Sequence, residues 1–393
     1  MKANHSESRS RRRLLQTAVG IGFASIAGCV SNSSDDTNPG EQKWSYNGGF
    51  VEFSSPTIVD ETVYFGFDHS MALYALDART GEEEWAFTEP AWRVTTSPTV
   101  FEGTVYVGSW DETLYAVDAE TGEQEWAFTE PAGQIRSLSA VANGLIYAGS
   151  LDGTLHAVDA ETGEQEWAFT EPSEGLVSSP TVARGTVYIG SPEGIVHAVD
   201  AETGEREWAF TEPSNEVRSS PTVSEGTVYV GSWDGKLYAV DAEAGEQEWV
   251  FTELPTEPDI LPSSPTVVDE TIYIGSGDAS LLAVNVETGE QEWAFTEPSE
   301  GLVSSPTVAE GIVYVGSSNG GLHAVDAETG EQEWAFTDTT GIAQSSPTVA
   351  EGTVYIGSMD GNLYAVDAGI DGSSEDSRIM LGTFGHHDEI ATR

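Results

Sequence analysis

The chain has 393 residues, 66 acidic against 15 basic, and a formal net charge of −51. Binding to a phosphate backbone by counterion release needs clusters of the opposite sign, so nucleic acid is not an expected partner. Only three lysines occur, Lys2, Lys43 and Lys236. Solubility of an ordinary acidic secreted protein is one reading of this balance. Acidity that recurs in every repeat favours another, adaptation to molar salt, where the Debye length falls to about 3 Å and carboxylate repulsion is screened.

The chain opens with Ser10-Arg11-Arg12-Arg13-Leu14-Leu15-Gln16 and an uncharged run rich in Ala, Gly and Ile over residues 17–28. A basic start and a short apolar core before small residues form the pattern of an export signal. The run is shorter than the roughly 20 residues that span a bilayer. Arg11 and Arg12, with Ser10, Leu14 and Leu15, resemble the twin-arginine motif, with Gln16 in place of its usual lysine. Ile26-Ala27-Gly28-Cys29 resembles a lipobox, which makes Cys29, the one cysteine of the chain, the expected lipidation site. Residues 1–28 then read as the signal, and 29–42 as a flexible tether rich in Ser, Asn, Asp and Gly. The localisation implied is the outer face of the cytoplasmic membrane, held there by a lipid anchor.

From residue 43 the sequence is periodic. Trp85, Trp126, Trp167, Trp208 and Trp249 follow one another at 41 residues, as do Trp293 and Trp334, and Trp44 stands one period ahead. A period near 40 built from strand-like segments marks a propeller or related array. Within one period, Thr104-Val105-Tyr106-Val107, Leu114-Tyr115-Ala116-Val117 and Glu125-Trp126-Ala127-Phe128 alternate with Gly- and Asp-containing turns. This predicts a four-stranded antiparallel meander, strands A to D from the axis outwards. Trp126 and Phe128 are two apart and share one face, and Thr121-Gly122 supplies the left-handed residue of a short hairpin. Strand A is expected to begin near Ser54, Ser97, Leu138, Ser178, Ser219, Ser263, Ser304 and Ser345, with its proline facing away from the ladder. The first strand D, at Trp44, precedes any strand A, and the last repeat lacks one. The chain is therefore expected to form an all-β, eight-bladed propeller over residues 43–368, closed by the N-terminal strand completing the last blade. Residues 369–393 read as a polar tail.

Ala116-Val117-Asp118-Ala119-Glu120-Thr121-Gly122-Glu123-Gln124-Glu125-Trp126 resembles the Ala-x-Asp-x-x-Thr-Gly-x-x-x-Trp signature of quinoprotein-type repeats. The match recurs from Ala75 to Trp334, with Ala244 for Thr and Asn285 for Asp. Within that superfamily the compact, lipidated form resembles the BamB-like branch, and the acidity with the export signal resembles salt-loving archaea. Such an organism lacks the outer membrane that BamB-type assembly requires, so that role does not carry over by itself. The larger members imply pyrroloquinoline quinone and Ca²⁺ held by a vicinal Cys pair, a catalytic Asp and Glu/Asn ligands on long inserts. This sequence has no Cys pair, and its longest insert is residues 254–261.

The expectation is therefore no catalytic residue, no metal and no cofactor, with a quinone-dependent dehydrogenase or small-ligand binder as the alternative. The Asp of each Asp-x-Glu-Thr-Gly turn is expected to bond its own turn rather than Ca²⁺, which needs six to eight converging oxygens. His156, His197 and His323 replace the strand C tyrosines Tyr74, Tyr115, Tyr238 and Tyr364, as in a packing slot. The C–D face is uniform and carboxylate-rich. The D–A and B–C face varies, and carries Arg93, Arg136, Arg218, Gln344, Trp92, Trp110 and Trp233 as a candidate binding face, with His69 and Met359 nearby. Arg and exposed aromatics favour protein recognition; pairing of the arginines with Glu130 or Glu216 is the structural alternative. Trp44, Trp85, Trp126, Trp167, Trp208, Trp249, Trp293 and Trp334 are expected between blades. Together these features predict a non-catalytic, membrane-anchored scaffold that binds another protein.

Overall fold

The structure is a computed structural model that describes residues 37–49, 54–138, 141–252, 254, 263–298, 301–302, 304–341 and 345–374. Arg11, Arg12, Cys29, Phe53, Pro262, Val303, Gln344, most of the tether and the tail from residue 375 lie outside the described residues. Among the described residues there are 32 strands in eight four-stranded antiparallel sheets and no helix. Blade 2 is representative, with strand A at Thr99–Phe101, B at Thr104–Gly108, C at Leu114–Asp118 and D at Gln124–Phe128. In blade 8, Thr348–Ala350, Thr353–Gly357 and Asn362–Asp367 are joined by Gln42–Asn47 as the outer strand. The N-terminal strand thus completes the last blade, with Trp44 opposite Ala365.

The repeat signature has a physical origin in the junction between blades. The Trp85 indole lies on Gly122 of the next blade, where a Cβ would come within 2.7 Å of its ring, and Gly122 also has φ of +71°. Its Nε1–H donates to Ala119 O at 3.0 Å. The same tryptophan, carbonyl and glycine recur at Trp126 with Ala160 and Gly163, and at Trp208 with Ala242 and Gly245. Asp118 Oδ1 shapes the turn by accepting from Thr121 N at 2.7 Å, Thr121 Oγ1 at 2.7 Å and Glu120 N at 3.1 Å. Those donors hold its carboxyl below the usual carboxylate range, the Thr121 hydroxyl foremost.

Blade 8 has no C–D hairpin, yet the turn is rebuilt where the N-terminal strand meets the last strand C. Gly40 N donates to Asp367 O at 2.9 Å, Asp367 N donates to Glu41 O at 2.9 Å, and Thr37 Oγ1 donates to Asp367 Oδ2 at 2.6 Å. Gly40, at φ +80°, provides the floor beneath Trp334. The residue before the tryptophan differs here as well. In blade 2 it is Glu125, which accepts from Thr104 Oγ1 at 2.8 Å. In blade 8 it is Lys43, whose Nζ is 3.0 Å from both Gly352 O and Thr353 Oγ1 and 3.6 Å from Asp367 Oδ2.

Apolar clusters fill the gaps between neighbouring sheets. Tyr64, Leu73 and Phe87 of blade 1, for example, pack on Val100, Val107 and Tyr115 of blade 2. Each such fully buried side chain contributes about 1.5–3 kcal/mol. At the axis, six junctions among the described residues share one pattern. The Thr after each Ser-Pro donates to the proline carbonyl of the next blade, as from Thr57 to Pro98 at 2.6 Å and, closing the ring, from Thr348 to Pro56 at 2.8 Å.

Strand A differs from expectation in two ways. The Ser-Ser-Pro run precedes the strand, which is only Thr57–Val59 in blade 1; the proline therefore needs no special orientation in a ladder. In blade 3 the described strand is Ile135–Leu138, so pairing with strand B already starts before Leu138. Leu138-Ser139-Ala140 stands there in place of Ser-Pro-Thr. Ile135 lies opposite Ser150 with a register shift at Arg136, and the equivalent bridge recurs as Val94 with Ser109 and Leu302 with Ser317.

Candidate binding face

The D–A and B–C loops meet on one face of the ring. Trp110 N, in the B–C loop of blade 2, donates to Arg93 O of the loop entering that blade, at 2.9 Å. Met359 N of blade 8 donates to Gly341 O at 2.9 Å in the corresponding place. Asp111 fastens blade 2's pair of loops. Its Oδ2 accepts from Ala91 N at 2.7 Å and from Tyr115 Oη at 2.9 Å, and burial, with Asp111 beside it, pushes the phenol up to about 12.

On this frame two guanidiniums stand over the Trp110 ring. The Arg136 Cζ stands 4.1 Å from the ring centroid and the Arg93 Cζ 4.9 Å. The stack joins blades 2 and 3. Arg136 lies at the register shift between Ile135 and Ser137 of blade 3. Arg136 Nε also donates to Gln134 Oε1 at 3.1 Å, and Trp110 Nε1 to Thr95 Oγ1 at 2.8 Å. A guanidinium over an indole contributes roughly 0.5–1 kcal/mol at exposed sites.

A second, simpler cluster stands on blade 5. Arg218 Cζ is 4.8 Å from the Trp233 centroid, and the guanidinium is paired with Glu216. The structural alternative of an Arg–Glu pair is thus present at Arg218. Arg218 occupies the position held by Thr95 in blade 2, and the buried Trp233 Nε1 has no hydrogen-bond partner. The structure brings Arg93, Trp110 and Arg136 together and places Arg218 and Trp233 apart from them. Trp92 is 54% exposed.

Met71 was not apparent among the candidates. It is 42% exposed and has φ of +53°. The equivalent residue is Gly153, Gly194, Gly235, Gly320 or Gly361 in five other blades and Glu112 or Ala279 in the remaining two, all with positive φ. The legible signal was the B–C turn Asp68-His69-Ser70-Met71, which lacks that glycine.

The histidines fill an inter-blade slot. His156, His197 and His323 pack against Phe128, Phe169 and Phe295 of the preceding blade, as Tyr115 and Tyr238 do against Phe87 and Phe210. His156 Nδ1 is 2.8 Å from Gln165 Oε1 and His323 Nδ1 is 3.0 Å from Gln332 Oε1. Burial lowers all three pKa values, that of His197 to about 4.

A quinone with Ca²⁺ in the funnel requires acidic oxygens converging on the axis. The hydroxyls found there bridge one blade to the next. Among the described residues no group of three or more His, Cys, Asp or Glu side chains is placed to hold a metal. The described residues present no ligand set for that pair.

A family model described as outer membrane protein assembly factor BamB matches residues 35–168, 151–296 and 261–377. The chain belongs to this BamB family. Comparison with curated proteins gave no match. The solved BamB of Moraxella catarrhalis is similar in fold, with a TM-score of 0.69 and 19% identity over 83% of this chain and 99% of that one. The quinohemoprotein alcohol dehydrogenase of Comamonas testosteroni gives 0.67 and 18% over 84% of this chain and 76% of that one. The computationally designed Ika8 protein gives 0.72 and 16% over 84% and 100%. At these identities the likeness is one of fold, shared by a BamB and by an enzyme, so function rests on the residues of the face.

Proposed function

We propose that this BamB-family chain is a non-catalytic scaffold, exported by its twin-arginine signal and lipid-anchored through Cys29 at the outer face of the cytoplasmic membrane. It binds another protein through the D–A and B–C face. The observation that carries this reading is the contrast between the two faces. The C–D face repeats one Asp-x-x-Thr-Gly turn in five blades, with Ala244 or Asn285 as the variant in two more, the turn's Asp or Asn accepting from its own turn. The other face departs from the repeat where Arg93, Trp110 and Arg136 stack across blades. Arginine and tryptophan dominate the energetics of protein interfaces. In native membranes at high salt, crosslinking and mass spectrometry should recover a partner with the wild-type chain. Recovery should fall when Arg136 and Arg218 are both replaced by alanine; unchanged recovery counts against this face. Absence of signal-peptide cleavage and lipidation at Cys29, read by intact mass, would remove the anchor from the proposal.

A further inference from the structure

The strand C slot that takes a tyrosine or a histidine also braces the loops above it. In blades 2, 5 and 8 the phenol donates to the B–C loop aspartate four residues earlier. Tyr115 reaches Asp111 Oδ2 at 2.9 Å, Tyr238 reaches Asp234 Oδ2 at 2.7 Å, and Tyr364 reaches Asp360 Oδ2 at 2.9 Å. In blade 4, whose strand C is Ile195–Asp200, the same two places hold His197 and Glu193. Glu193 fastens the loop that enters the blade. Its Oε1 accepts from Ser173 N, from Ser173 Oγ at 2.7 Å and from Glu174 N at 2.9 Å. The brace from below is different, because an imidazole ends roughly one oxygen's width short of a phenol hydroxyl.

Three polar atoms converge there. Ser191 Oγ, Glu193 Oε2 and His197 Nε2 are buried, and among the described residues none has a hydrogen-bond partner. The orientation of the ring follows from its sisters. His197 stands against Phe169 at 5.4 Å and 67°, as His156 stands against Phe128 at 5.5 Å and 67°. His156 turns Nδ1 to Gln165 on strand D, 2.8 Å away, which leaves Nε2 toward the B–C loop. In blade 7 that nitrogen, His323 Nε2, is 3.4 Å from Ser317 Oγ, the serine equivalent to Ser191. Burial lowers the His197 pKa most, and Glu193 is the leading charge that opposes it, which sets the carboxylate beside the ring. The serine is also distinct. Its equivalents Ser109, Ser150, Ser232 and Ser358 donate to carbonyls of the D–A loops, whereas Ser191 Oγ does not. A buried polar group without a partner is costly, so its neighbourhood is built to receive one.

We infer that blade 4 binds one buried water molecule through Ser191 Oγ, Glu193 Oε2 and His197 Nε2, in the place where the tyrosine blades put a phenol oxygen. Three hydrogen bonds are the usual complement of such a water. It donates to Glu193 Oε2 and to His197 Nε2 and accepts from Ser191 Oγ, which keeps the neutral ring with its proton on Nδ1. A bare Ca²⁺ or Mg²⁺ is a poor occupant, since two side-chain oxygens and a nitrogen fall short of the coordination those ions take. The water carries the brace from strand C to Glu193 and onward to the Ser173–Glu174 loop. The site is independent of what the face above it binds.

The test is a crystal structure of the full chain grown at high salt, at a resolution that shows ordered water. One density peak should lie within about 2.5–3.2 Å of all three atoms. His197→Tyr, a residue the slot already takes in sister blades, should expel the peak and set its phenol oxygen on Glu193. In solution, oxygen-17 relaxation dispersion should then lose one long-lived water relative to the unaltered chain. In urea, His197→Tyr should unfold at a higher midpoint than His197→Phe, because only the phenol reaches the carboxylate. Direct contact of His197 Nε2 with Glu193 Oε2, or no peak among the three atoms, overturns the inference from the unaltered chain alone. An anomalous peak at that position after exchange into rubidium chloride assigns the site to a cation and overturns it as well. So do unchanged relaxation dispersion in His197→Tyr and equal midpoints for the two variants.

Discussion

His197 offers the sharpest test of the packing described for the inter-blade slot. It is 3% exposed, and neither ring nitrogen has a hydrogen-bond partner. In blades 3 and 7 the equivalent imidazole meets Gln165 or Gln332 on strand D. In blade 4 that glutamine is Arg206, which is turned outward to pair with Glu171. Replacing Arg206 with glutamine should restore the missing bond. A net hydrogen bond contributes about 1 kcal/mol, and relieving a buried unsatisfied group adds to it. The exposed pair with Glu171 that is lost contributes about 0–1 kcal/mol. Arg206→Ala loses the same ion pair without supplying an acceptor, so Arg206→Gln should be about 1–2 kcal/mol more stable than Arg206→Ala. The pH dependence carries a second signature. Burial first of all lowers the folded pKa of His197 from 6.5 to about 4. The unfolded chain therefore takes up the proton before the folded one does. Stability from this residue is complete above pH 6.5, and is lost as pH falls through the interval to about 4, by roughly 3 kcal/mol. Glutamine beside the ring, and removal of the arginine charge, should raise the folded pKa and flatten that slope. Urea unfolding at high salt, from pH 7 to pH 4.5, measures both effects. Equal stability of the glutamine and alanine variants, with parallel pH slopes, would refute the reasoning.

Three further outcomes follow from the same structure. Gly122→Ala should cost about 2–4 kcal/mol, adding overpacking against Trp85 to the left-handed penalty; Gly103→Ala, with φ of +87° and nothing within 4 Å of its Cβ, should cost only the penalty, and equal losses in urea unfolding would remove the Trp–Gly argument. Lowering salt should loosen the fold, seen as loss of near-ultraviolet tryptophan dichroism; a fully folded, cooperative protein at low salt would defeat the salt-adaptation reading. Added pyrroloquinoline quinone and Ca²⁺ with a panel of alcohols and sugars should give no dye reduction, and turnover would overturn the non-catalytic reading.

The scaffold was legible because one junction is built eight times. The indole needs a glycine floor and a carbonyl in the following blade, so Trp85, Ala119 and Gly122 reappear at fixed spacing and announce their own contact. Blade 3 was less legible. Leu138-Ser139-Ala140 shows that the Ser-Pro-Thr ring is interrupted, but not that the register shifts at Arg136. The binding face was legible as a list of unlike residues rather than as an arrangement. Trp110 and Arg136 belong to different blades, and no local periodicity links them. Met71 escaped because its distinction lies in a backbone angle shared with glycines elsewhere in the ring.

The lysine of the closing strand decides a question of assembly. An array of near-identical blades offers its unfinished last sheet to any Glu-Trp outer strand, including that of a neighbouring molecule, and such a mistake propagates head to tail without end. A glutamate brought to Lys43's place would stand beside Asp367, where Lys43 donates to Gly352 O and Thr353 Oγ1. A glutamate there would accept from Thr353 as Glu125 does from Thr104, whereas the chain's own lysine adds the Asp367 pair and the bond to Gly352, a contact that no Glu-Trp strand offers. One inverted sign among eight homologous positions thereby favours a finite ring over a fibre.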